Sequence, residues 1–322
     1  MEKILARALA ELEQGRPCLL ATVIESTGST PRSAGAYMLV GAEGRLAGTV
    51  GGGSIEYAAI KKGQQQLAQG ENFLFTYTLT MEAAADLGMV CGGSCKILYS
   101  YLKSEASTIA TLRQALKQAR AGQAYWLLLP LGQGQVQLKD TLPLQGHRGR
   151  VNLQQQEYFA EEFAYDGRVY IFGGGHLAQE LVPVLARLSF RCIVLEDRED
   201  FAKKELFPEA EAVGLVDFNN LSLNISEQDY VAIMTRGHQN DAQVERYALT
   251  TAASYIGVVG SRRKAALTRA TLAAEGFSQQ QLDRIITPIG IPMASETPAE
   301  IAISIAAQLI NHRASKGKNI KI

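Results

Sequence analysis

The stretch RVYIFGGGHLAQELVPVL, residues 168–185, constrains the fold of this chain more than any other. A short β-branched run meets three glycines, and the glycines open an amphipathic helical pattern. More short apolar runs follow: RCIVLE (191–196), EAVGLV (211–216), YVAIMT (230–235) and YIGVVG (255–260). Near-continuous runs of this kind are strands of a parallel sheet buried on both faces. Helical patterns over 240–253, 262–275 and 298–312 lie among them. Strands alternating with helices predict an α/β domain with a doubly wound parallel sheet over residues 166–322.

Within that domain Gly173, Gly175 and Ala178 fit G-x-G-x-x-A at a strand-to-helix junction. The first glycine permits a tight turn, the second lets backbone approach an anion, and the alanine lets helix and strand pack closely. The helix N-terminus, starting at His176, offers unpaired N–H groups and a partial positive charge. Glu196 and Asp197 end the next strand, where a dinucleotide ribose is bonded. This is a Rossmann arrangement, with NAD(P) as its possible ligand; the other reading is a loop that only makes a turn. Two more loops follow strands at the ligand-binding edge. One carries Arg236, His238 and Asp241; the other carries Ser261, Arg262, Arg263 and Lys264. Their cations point to an anionic ligand, with Arg236 and Arg262 the favoured contacts and Lys264 read as a solvated charge. His238 and Asp241 read equally as a proton-transfer pair or as a helix-capping arrangement. SETPAE predicts a capping box, with Thr297 the N-cap, Pro298 at N1 and Glu300 at N3; Glu296 stays a weak site candidate.

Residues 1–102 read differently: a helix, a β-rich run, a hairpin at GAEG, a second helix and two further strands. This is a mixed α+β domain. A second triple glycine, Gly51, Gly52 and Gly53, joins the hairpin to the helix, with Ser54 a possible cap and Glu56 favouring the positive helix end. No βαβ pattern surrounds it, and it lacks the lysine of a P-loop. Nearby, Pro31 would hold Arg32 out on a bend. Cys91 stands before two glycines, where a ligand can approach a thiol closely. Cys91 and Cys95 have no histidines beside them, which argues against structural zinc. Cys95 reads as a small buried hydrophobe. Residues 103–165 read as a connecting region with a helix and some strands, ending in a weakly patterned polar stretch.

Lys plus Arg and Asp plus Glu number 32 each in 322 residues. That balance gives no general attraction to nucleic acid or an anionic membrane. No apolar run is long enough to span a bilayer, and the N-terminal stretch reads as an amphipathic helix, not a signal peptide. A cytoplasmic protein with reduced thiols is expected. A homodimer is expected only on its general frequency.

Taken in order, ATVIESTGSTPRSAGAYMLV, GTVGGGSIE, CGG, FGGGHLAQEL, TRGHQND, GSRRK and PIG…SETPAEIAISI make the chain resemble the XdhC/CoxI family. The resemblance implies an XdhC/CoxI-type domain followed by a Rossmann domain. It implies an accessory protein for molybdenum hydroxylases such as xanthine dehydrogenase. Such proteins bind molybdenum cofactor, a phosphate-bearing pterin dithiolene, and support its sulfuration with a cysteine desulfurase. They then hand it to the apoenzyme. Soft thiolate suits a molybdenum centre, so Cys91 is the candidate metal ligand. Many family members carry a cysteine where this chain has Ser54. An NAD(P)-dependent oxidoreductase and a nucleotide-regulated scaffold for the maturation complex are the alternatives.

Overall fold

The computed structural model describes residues 1–28, 34–79, 93–144, 146–163 and 167–316. The chain divides into two compact units, Met1–Tyr165 and Asp166–Ile322.

The first unit opens with helix α1 (Glu2–Leu12), whose apolar stripe of Ile4, Leu5, Ala8, Leu9 and Leu12 is buried. Strand β1 (Cys18–Gly28), the hairpin β2 (Tyr37–Gly41) and β3 (Gly44–Gly48), helix α2 (Gly53–Leu67), β4 (Phe73–Leu79) and β5 (Gly93–Leu102) follow. The strands form an antiparallel sheet in the order β3-β2-β1-β5-β4. The stretch read as a connecting region folds into helix α3 (Ala106–Ala121) and a second antiparallel sheet. Its strands β6 (Tyr125–Pro130), β7 (Gln137–Lys139), β8 (Arg148–Leu153) and β9 (Gln156–Phe163) lie in the order β7-β6-β9-β8. The period-2 alternation of each strand divides its side chains between two cores. Leu20, Leu39 and Leu98 from the first sheet share one apolar cluster with Leu127, Leu129 and Phe159 from the second, with α1 and α3 in the same cluster. The other face of the first sheet packs Leu19, Val40 and Ile97 with Ala59 of α2.

The second unit contains β10 (Arg168–Phe172), α4 (His176–Arg187), β11 (Arg191–Glu196), β12 (Ala212–Leu215), β13 (Tyr230–Ile233), α5 (His238–Thr250), β14 (Tyr255–Val258), α6 (Arg262–Ala274), α7 (Gln279–Leu282), β15 (Ile285–Ile286) and α8 (Pro298–Lys316). The sheet order is β12-β11-β10-β13-β14-β15, parallel throughout. Helices cover both faces. Ala178 and Leu181 of α4 pack with Ala302 and Ile305 of α8 on one side. Val244 and Ala248 of α5 pack with Leu272 of α6 on the other. This is the doubly wound Rossmann domain expected, and its strand order reverses between β10 and β13, the switch point where such sheets take ligands. The capping box at α8 forms: Thr297 Oγ1 accepts the Glu300 amide at 3.3 Å, and Glu300 Oε2 accepts the Thr297 amide at 2.9 Å.

Candidate functional site

Strand register shows where the stretches that carry the motifs of the first unit join its sheet. Thr22 of β1 faces Tyr37, where β2 begins, and Met38 faces Gly48, where β3 ends. Gly93, where β5 begins, faces both Gly28 at the end of β1 and Leu79 at the end of β4. The connections 29–36, 49–52 and 80–92 therefore leave the sheet in the same direction, with 49–52 starting level with Ala21 and 80–92 level with Gly28, seven residues further along β1. They carry, in turn, Arg32, the triple glycine and Cys91. Arg32 and Cys91 themselves lie outside the described residues.

At the triple glycine the backbone turns left-handed three times, with φ of 142° at Gly51, 76° at Gly52 and 58° at Gly53. Only glycine adopts such a run without strain. A Cβ at Gly52 or Gly53 would meet no atom within 4 Å, so these positions face open space. The loop already holds an internal anion. Gly52 donates its amide to Glu56 Oε2 at 3.1 Å, Gly51 donates to Thr49 Oγ1 at 3.1 Å, and the Thr49 hydroxyl donates to Glu56. Arg45 stands 3.4 Å from the same carboxylate. Burial works against the charge of Glu56, yet these donors hold its carboxyl below the ordinary range. Ser54 is not the cap expected. Gly52 occupies the N-cap, and Ser54 falls inside the first turn of α2.

Edge strand β8 reaches the connection between β1 and β2, a feature without a signal in the sequence. Arg148 lies 2.9 Å from Glu161 and donates to the Ala34 carbonyl, next to the Arg32 segment. The Tyr37 hydroxyl donates to Glu161, and Arg150 pairs with Glu25. Burial raises the Glu161 carboxyl above its usual range. Cys95 is buried and its thiol is raised by desolvation, as expected of a packing residue.

In the second unit the other triple glycine is built on different physics. Gly173 has φ of 108°, and a Cβ there would sit 2.4 Å from the Met234 carbonyl oxygen. Its glycine is required by close approach to the chain leaving β13. At Gly175, the N-cap of α4, a Cβ would meet nothing within 4 Å, and His176 beyond it is exposed. Glu196 is 1% exposed. It accepts the Gly174 amide at 2.6 Å, the amides of Asp197 and Arg198 at 3.1 and 3.2 Å, and the Arg198 guanidinium at 2.8 and 2.9 Å. A carboxylate has about four acceptor positions, so protein donors saturate this one. Asp197 accepts instead from Asn240 of α5 at 2.9 Å.

Arg236, Arg262 and Arg263 are exposed, and Ser261 caps α6 by accepting the Lys264 amide. Lys264 is not a solvated charge. Its ammonium lies 2.7 Å from Oδ2 of Asp241, which is buried at 2% exposure. Asp241 Oδ1 accepts the hydroxyl and amide of Thr235 at 2.5 and 3.1 Å. His238 begins α5, but its side chain is outside the described ones. Among the described residues no group of three or more His, Cys, Asp and Glu gathers to hold a metal, and no helix is long and apolar enough to cross a membrane.

Two family models match this chain. The XdhC and CoxI family matches residues 11–78 and the XdhC Rossmann domain matches 169–309, more than half of the chain between them. The chain belongs to the XdhC and CoxI family. Among relatives, the molybdenum cofactor insertion chaperone PaoD of Escherichia coli K12 is 25% identical over 96% of this chain and 88% of its own length. A probable xanthine dehydrogenase subunit of Bacillus subtilis 168 is 24% identical, covering 94% of this chain and 96% of its own length. YqeB, an uncharacterised E. coli protein, is 25% identical over 92% of this chain, which spans only 44% of YqeB. A crystal structure described as a xanthine dehydrogenase from Bacillus halodurans superposes with a TM-score of 0.79 at 24% identity, covering 98% of both chains. That likeness concerns the fold. The segment bearing β6–β9, with Arg148 and Glu161, lies outside both XdhC family models.

Proposed function

We propose that this chain is an accessory protein for a molybdenum hydroxylase of the xanthine dehydrogenase type, working in the cytoplasm. It binds molybdenum cofactor as cargo, supports its sulfuration together with a cysteine desulfurase, and delivers it to the apoenzyme. The observation that supports this reading is that the strands flanking three motif-bearing connections send them off the first sheet in the same direction. The open faces of Gly52 and Gly53 suit the close approach of a phosphate. Arg32 supplies a cation, and Cys91 supplies a soft ligand for molybdenum. With Ser54 in place of a thiol, sulfur handling falls to Cys91. The names of PaoD and of the B. subtilis relative support the same assignment.

The test is to express the protein with ample molybdate in a host that makes the cofactor, purify it, denature it and oxidise the extract. Fluorescent pterin is expected in stoichiometric amount. Absence of pterin, together with no gain in activity when the protein is added to hydroxylase apoenzyme, would overturn the assignment.

A further inference from the structure

Glu245 is a buried carboxyl with no role in the proposed cargo site. It lies one helical turn beyond Asp241 on α5, so both carboxyls stand on one face of that helix. It is 5% exposed. Among the described residues no group donates a hydrogen bond to it. It lines a small cavity of about 10 Å³ together with Asp241, Lys264, Thr268 and Thr287, room for about one water molecule. The charged groups acting on it are Asp241 and Arg246 from its own helix and Lys264 from α6. Arg246 is engaged by Glu275 at the far end of α6. Strand β14 contributes apolar Val258 to the cavity wall. One ammonium therefore faces two buried carboxyls.

The Asp241–Lys264 pair is also a mechanical link. Asp241 holds Thr235, in the loop that carries Arg236 toward the switch point. Lys264 stands in the first turn of α6, beside Ser261 and Arg262. The pair ties the loop after β13 to the loop after β14.

We infer that Glu245 is a proton-binding site coupled to the Asp241–Lys264 pair, and that its charge state sets how firmly these two loops are held together. With Glu245 neutral, one carboxylate meets one ammonium and the link is electrically balanced. With Glu245 ionised, a second buried negative charge competes for Lys264 and repels Asp241. Burial and the Asp241 charge raise the Glu245 carboxyl from its ordinary 4.5 to about 7. The direction follows from linkage. The closed arrangement holds the proton more tightly than an opened one, so opening becomes easier as pH rises from about 4.5 to about 7 and levels off above.

The experiment is amide exchange at Thr235 in the full chain between pH 5 and 8, corrected for intrinsic exchange. The opening equilibrium of the wild type is expected to rise by up to about tenfold per pH unit until about pH 7 and then flatten. Glu245→Gln is expected to stay closed and flat across the range, and Asp241→Asn to exchange fast at every pH. Identical pH dependence in wild type and Glu245→Gln would overturn the inference. A ¹³C NMR titration of the Glu245 carboxyl in the unaltered protein provides the second measurement, and a midpoint near 4.5 would overturn it equally.

Discussion

Glu196 accepts the amide of Gly174 at 2.6 Å, so the middle glycine of that loop is bound to a carboxylate of its own unit. The other unit repeats the device, with Glu56 accepting the amide of Gly52 at 3.1 Å. The first amide of each loop is engaged as well: Gly51 donates to Thr49, and Gly173 donates to the Leu195 carbonyl at 2.8 Å. The third glycine of each loop, Gly53 or Gly175, stands where a helix begins.

Glu196 supplies the first prediction. Burial opposes its charge, but the Arg198 guanidinium, the Asp197 side chain and the Gly174 amide bring the carboxyl down to about 2. A depressed acid contributes stability that is complete above its unfolded value and lost as pH falls through the folded one. Glu196→Gln is expected to lower stability at pH 7 by about 2–3 kcal/mol, the loss of charge-assisted bonds. It should also flatten the fall in stability between about pH 4.5 and 2. Denaturant titrations across that range check both.

The two glycine loops are expected to answer substitution differently. Gly173→Ala puts a methyl group against the Met234 carbonyl and should destabilise by several kcal/mol, seen as a large drop in Tm. Gly53→Ala meets no atom, so its cost is the left-handed backbone alone, about 1–2 kcal/mol. Its larger effect should be on bound pterin, measured as fluorescence after oxidation.

The exposed arginines should matter for ligand and not for fold. Arg236→Ala and Arg262→Ala are expected to leave stability within about 0.5 kcal/mol. Each should weaken an anionic ligand of the second unit by about 1–3 kcal/mol. Calorimetric titration with a nucleotide or pterin phosphate at two salt concentrations measures this. Equal affinity in wild type and variants would remove both residues from the site.

Thiol chemistry separates the cysteines. Burial raises Cys18 and Cys192 to about 12, and it raises Cys95 as well. Thiolate is the reactive form, so iodoacetamide near neutral pH should spare these three in the native protein. Label found by mass spectrometry is expected on Cys91. Cys91→Ala should reduce pterin retention or client activation more than Cys95→Ala.

Much of the second unit is legible in the sequence because buried parallel strands leave short β-branched runs, and glycine and Thr-Pro signals mark its helix ends. The β8–β9 hairpin is not. Its turn uses Gln154 and Gln155 at φ of 50° and 66°, where Asn-Gly is the usual signal. Strand β8 alternates exposed and half-buried positions without an apolar face. The partners of Glu196 and Lys264 are hidden for another reason. Motif spacing puts Glu196 at the ribose position, but only the fold brings Arg198 and Gly174 onto it. Lys264 meets Asp241 through the packing of α5 on α6, which no local pattern encodes.

The apolar cluster shared by the two sheets of the first unit bears on synthesis. A nascent chain that has emerged only to Leu102 can pair β1 with β5, but Leu20, Leu39 and Leu98 still lack the partners that α3, β6 and β9 bring. That sheet is a sticky half-product until the ribosome has released Phe163. A fragment cut after Leu102 should therefore aggregate, while one ending near residue 165 should stay in solution.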